Sequence, residues 1–135
     1  MTAAAPSGTT WQQVAAYLTY AFPVEQQWPG QGMVIVLNGM ADNHRVLVVL
    51  ENPGSWGVEH VTIEAPLGKL GEVDVAAAVK AAGSIAMAGV VCREEIVALR
   101  VSRCLSTLSL EHLAATVGSV SGALDGYVMI RGHSS

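Results

Sequence analysis

Charge is scarce in this chain. Only 13% of its 135 residues are Asp, Glu, Lys or Arg, against roughly 25% in an average soluble domain. The seven basic residues are scattered and the formal charge is −4, which argues against nucleic acid, because phosphate neutralisation needs clustered Lys and Arg. Half of the residues are hydrophobic, so some apolar area is expected to end against a partner. Long uninterrupted apolar runs are also missing. Met33 to Leu50 is broken by Asn38, Asp42, Asn43, His44 and Arg45 and falls short of the ~20 consecutive apolar residues of a membrane span. Met1 to Thr9 lacks both the basic and the apolar regions of a signal peptide, so a cytoplasmic, non-membrane protein is expected.

Cysteine is limited to Cys92 and Cys104, whose spacing matches no zinc motif. They fall on the two arms of one expected hairpin turning near Arg93 and Glu94, which leaves them ~30 Å apart at ~3.3 Å per residue. A disulfide needs Cα atoms within about 7 Å. Two buried free thiols are expected.

Catalytic signatures are lacking as well. No G-x-S-x-G elbow and no phosphate loop occurs, and Gly68-Lys69-Leu70-Gly71 has the wrong spacing for one. His44, His60, His112 and His133 form no pair at metal-ligand spacing on one element. Arg93, Glu94 and Glu95 read as a solvated hairpin tip that discourages edge aggregation. No catalytic residue, metal or cofactor is therefore expected.

What is present is an ordered series of elements. One domain fits the length: a disordered lead over 1–9, the domain over 10–131 and a disordered tail over 132–135. Thr9 or Thr10 can cap a helix on which Trp11, Val14, Ala15 and Leu18 make one apolar stripe, stopped by Pro23. A loop is expected from Gln26 to Gly32. Met33 to Leu37 and Val46 to Leu50 read as strands joined across Asn38-Gly39 and Asp42-Asn43. Their continuous apolarity predicts that both faces lose water. A third strand, Gly57 to Ala65, alternates cleanly and ends at Pro66. Asp74 caps a second helix to about Ala82, with Gly83 as its stop. Met87 to Cys92 and Glu95 to Leu105 form the second hairpin. Ser109 caps a last helix reaching about Met129, weakened by Gly118, Gly122 and Gly126 at ~1 kcal/mol each relative to Ala. The expected fold is α+β, an antiparallel sheet in the order helix-β-β-β-helix-β-β-helix with the helices mainly on one face.

The element order and several segments resemble the YbjN-type and type III secretion chaperone-like domains. The resemblance rests on Trp11-Gln12-Gln13-Val14 opening the first helix and on Met33-Val34-Ile35-Val36-Leu37 as the first strand. It also rests on Glu95-Ile96-Val97-Ala98-Leu99-Arg100, leading through Leu105-Ser106-Thr107-Leu108-Ser109 into the last helix. It spans nearly the whole chain. It implies a bacterial α+β domain, often dimeric, that holds an extended client segment against apolar surface. The charge of −4 is milder than the acidity typical of secretion chaperones.

These readings lead to a non-enzymatic binding module with a protein or peptide client, acting as a homodimer. Candidate contacts are Trp28 and Trp56, because loop tryptophans are enriched at binding hot spots, together with Val46, Val48 and Leu50. Two alternatives stay open. One is a small-molecule-binding α+β domain, for which His60 and Glu64 are the best polar pair. The other is a permanent structural subunit of a larger complex.

Overall fold

The computed structural model describes residues 8–40, 42–52 and 58–133, the last three for their backbone alone. Helix α1 (Trp11–Ala21) is followed by strands β1 (Val24–Trp28), β2 (Gly32–Asn38), β3 (Asn43–Glu51) and β4 (His60–Lys69). Helix α2 (Val75–Ala82), strands β5 (Ala88–Arg93) and β6 (Ile96–Cys104), and helix α3 (Leu110–His133) complete it. The six strands form one antiparallel sheet in the order β1-β2-β3-β4-β6-β5. The α+β class and the expected element order hold, with one more strand before α2.

The additional strand is β1. Its Gln26, Gln27 and following Pro29-Gly30 carry a turn signal, yet Gln26, Gln27 and Trp28 pair with Val34, Met33 and Gly32. Pairing to an apolar neighbour outweighs the weak strand preference of glutamine. The third expected strand is shifted, because β4 runs through Pro66 to Lys69. Proline has no ladder N–H, and the register slips between Pro66 and Gly68, with Gly68 at φ 139°. A bulge at that point lets the strand absorb the proline.

All three helix starts follow their cap residues. The Thr10 side chain accepts from the Gln13 N–H while Gln13 Oε1 accepts from the Thr10 N–H at 2.9 Å, a reciprocal capping box. Asp74 Oδ1 accepts from the Ala77 N–H at 3.0 Å, and Ser109 Oγ from the His112 N–H at 3.0 Å. The end of the expected lead is tied down, since the Thr9 N–H donates to the Leu105 carbonyl at 2.9 Å. Residues 1–7 lie outside the described residues, as do 134–135 of the expected tail.

The β5–β6 turn places Glu94 and Glu95 at φ 50° and 67°, the two left-handed residues that match strand twist in a two-residue hairpin. Cys92 pairs with Val97, and Cys104 with His60, so the thiols stand apart and both are free. The expectation that they are buried needs correction. Cys92 is exposed at the edge of the sheet, and Cys104 is half-buried at the end of β6.

One hydrophobic core lies between the sheet and the helices. Met33, Ile35, Leu37, Val46, Val48, Val61, Ile63, Ala65, Leu99 and Val101 supply its sheet side. Val14 and Leu18 of α1, Ala77, Ala78, Ala81 and Ala82 of α2, and Leu113, Val117, Val120, Leu124 and Tyr127 of α3 supply the other. The alanines let α2 sit close to α3, where Tyr127 Oη accepts from the Asp74 N–H at 3.2 Å. Leu110–Ile130 is long and apolar enough to cross a membrane. Core helices of folded domains meet the same criterion, and Leu113, Val117, Val120 and Leu124 are buried within this one.

Candidate functional site

Residues directly opposite in an antiparallel pair project to the same face, and successive residues alternate. In β2 and β3 the helices take Met33, Ile35, Leu37, Val46 and Val48. Alternation therefore turns Val34, Val36, Leu47 and Val49 the other way, and all four are only half-buried. The pairing of Trp28 with Gly32, and of Gly32 with Val49, puts Trp28 on this same face. No helix among the described residues packs there. A Cβ at Gly32 would lie 2.9 Å from Val49 Cγ1 and 2.8 Å from the Val48 carbonyl oxygen. Glycine is needed for the close approach of β2 to β3 at that point.

Charged pairs rim the apolar patch on both sides. Toward β1, Arg45 Nε donates to Glu25 Oε1 at 2.9 Å. Toward β5, Arg100 Nη2 donates to Glu51, and Arg93 Nη2 lies 3.0 Å from Glu64 Oε1. That second contact is an ion pair without hydrogen-bond geometry, so Glu64 Oε1 stays buried with no hydrogen bond. Arg100 Nε is 3.9 Å from the same oxygen. Between these pairs, Thr62 and Ser102 share a 2.7 Å hydroxyl hydrogen bond. A hydrogen bond from Thr62, with further help from Arg100, holds the Glu51 carboxyl below its ordinary range. A shallow groove of about 390 Å³ runs along this rim, lined by Leu47, Val49, Glu51, Thr62, Glu64 and Arg93 among others.

The five expected contact residues divide. Trp28 is 40% exposed and lies on the open face. Trp56 lies outside the described residues. Val46 and Val48 are fully buried against the helices, so the expectation that they meet a partner is corrected by one residue of register. Continuous apolar strands hide which set points inward, and the open set is Leu47 and Val49. Leu50 shares the helix-facing parity, is half-buried against the core and edges the groove. His60 and Glu64 do not act together. His60 Nδ1 contacts the Val58 carbonyl at 3.1 Å, while Glu64 faces Arg93.

A second feature had little sequence signal. At the β2–β3 tip, His44 Nε2 lies 3.0 Å from Asp125 Oδ1 of α3, and the Met40 N–H donates to the same oxygen at 3.1 Å. These bonds, His44 first, hold the Asp125 carboxyl below its usual range. Beside them is an apolar pocket of about 320 Å³ lined by Met40, Asp42, His44, Asp125, Val128 and Met129. The one available hint was that Asp125 is the sole carboxylate or Lys/Arg between Glu111 and Arg131.

No protein-family model, no curated protein and no solved structure matches this chain. Among the described residues, no three His, Cys, Asp or Glu side chains gather so as to hold a metal ion. Chemically, the open face can exclude water over an apolar patch and orient a partner by its charged rim.

Proposed function

We propose that this chain is a non-enzymatic protein- or peptide-binding module, chaperone-like or regulatory, that works as a homodimer. The observation that carries this reading is the uncovered sheet face, where Trp28, Val34, Val36, Leu47 and Val49 stand between two charged rims. An apolar centre with a polar rim is the anatomy of a protein–protein contact. Strands β1 and β5 are the two edges of the sheet, and extended segments bind to such edges by adding a strand. The likeness of element order to YbjN-type and type III secretion chaperone-like domains points the same way.

Sedimentation and an apolar fluorescent dye test the reading together. Wild-type protein is expected to self-associate or to bind the dye on this face, and Leu47→Asp to abolish whichever occurs. A strict monomer that binds neither dye nor an apolar peptide overturns it.

A second reading has one specific observation in its favour. The pocket at the β2–β3 tip has the size and apolar lining of a small-molecule site, with His44 and Asp125 as its fixed polar groups. Heat stability unchanged across a panel of small apolar metabolites counts against it.

A further inference from the structure

Beneath the apolar patch the strands are already paired on both sides: Gly32 to Ile35 of β2 lie between β1 and β3, and Leu47 to Val49 of β3 lie between β2 and β4. Strands β2, β3, β4 and β6 are each paired on both sides. An extended peptide laid flat on them would find no backbone partner and would leave its own N–H and C=O groups unmet as water is excluded. A second sheet brings its backbone already paired and needs only side-chain contact. Sheets stacked in that way lie ~10 Å apart with their side chains interdigitated.

The identity of that second sheet follows from area, charge and shape. Six strands at ~4.8 Å spacing and 5–10 residues in length at ~3.3 Å per residue present on the order of 700 Å². A stable interface buries ~800 Å² on each partner. The chain carries −4 overall, which resists self-association. This face does not share that charge, because Glu25 pairs with Arg45 and Glu51 and Glu64 face Arg100 and Arg93. A second copy therefore meets a neutral surface here. In a two-fold contact each favourable pairing occurs twice, and pleated rows of Val34, Val36, Leu47 and Val49 match rows of the same spacing.

We propose that the open sheet face is the dimer interface of this protein, with two copies stacked face to face about a two-fold axis through the apolar patch on β2 and β3. This inference rests on the docking reading above and names its occupant. It leaves edges β1 and β5 of each copy free for an extended client.

Light scattering across a concentration series tests it on the full chain, with Leu47→Asp, Leu47→Ala and a control, Tyr20→Ser, at a 91% exposed position on α1. The expected wild-type mass is twice 14.0 kDa. Leu47→Asp should be a folded monomer by circular dichroism. Leu47→Ala, the milder change should the aspartate prevent folding, should weaken the dimer at least about tenfold, since both copies lose the contact. Tyr20→Ser should leave it intact. A wild-type dimer unaffected by Leu47→Ala overturns the inference, because dimerisation then uses another surface. A wild-type monomer that binds 8-anilinonaphthalene-1-sulfonate, with binding lost in Leu47→Asp, overturns the inference and leaves the docking reading standing. A monomer that binds neither the dye nor an apolar peptide overturns both.

Discussion

At the scale of single residues, Gly39 shows how little room the β2–β3 tip allows. A Cβ there would collide with the Asp42 carbonyl, lie 2.5 Å from His44 Nε2 and lie 2.9 Å from Asp125 Oδ1. Gly39→Ala should therefore displace the His44–Asp125 contact and cost about 1–3 kcal/mol in urea unfolding. An unchanged midpoint would mean that the tip shifts freely. Glu51 yields a prediction in pH. Its carboxyl titrates below its unfolded value when folded, held there by Thr62 and then Arg100. Below the unfolded value near 4.5 the unfolded chain binds more protons, so this contribution is complete above that pH. It is lost as pH falls through the lower folded value. Stability measured from pH 6 to 3 should fall less steeply in Glu51→Gln than in wild type. Equal slopes would remove Glu51 from the account. The caps Thr10, Asp74 and Ser109 were legible at this scale, because capping depends on a hydroxyl or carboxylate reaching a backbone N–H three residues on. The His44–Asp125 contact was not legible, since nothing local joins residues 81 apart.

At the scale of elements, the last helix holds stability in reserve. Gly118 and Gly122 are exposed, and a Cβ at either would meet nothing within 4 Å. The intrachain packing does not require glycine at these positions. Replacing both with alanine should add about 1 kcal/mol per site and raise the melting temperature with the oligomeric state unchanged. A loss of self-association instead would move the dimer contact from the sheet to α3. Strands were harder to read than helices, for two physical reasons. β1 consists of Val24, Glu25, Gln26, Gln27 and Trp28, and its pairing depends on β2 rather than on intrinsic preference. β4 passes through a proline because a bulge at Gly68 absorbs the missing donor. Both events are tertiary, whereas a helix cap and an apolar stripe are local.

At the scale of the whole molecule, the issue is which side of β3 is finished within one chain. The continuous apolar run Val46 to Leu50 carries no sign of which residues take which side. A slip of one residue exchanges every side chain between faces. Helices cover one side, so Val48 is fully buried while its neighbour Val49 is half-buried on the open side. Val48→Ala should cost about 2–3 kcal/mol at any protein concentration, from two lost buried methyl equivalents plus the space they leave. Val49→Ala should lie within about 0.5 kcal/mol of wild type in dilute protein, as surface changes do. As concentration rises, a partner that binds only the folded chain adds stability by mass action. The gap between Val49→Ala and wild type should then widen, because the variant forfeits part of that association while Val48→Ala keeps its fixed deficit. Chemical unfolding of the three proteins over a hundredfold or so range of concentration separates the cases. If Val49→Ala is as costly as Val48→Ala in dilute protein, the open face is already closed within a single chain, and no second molecule is needed to cover it.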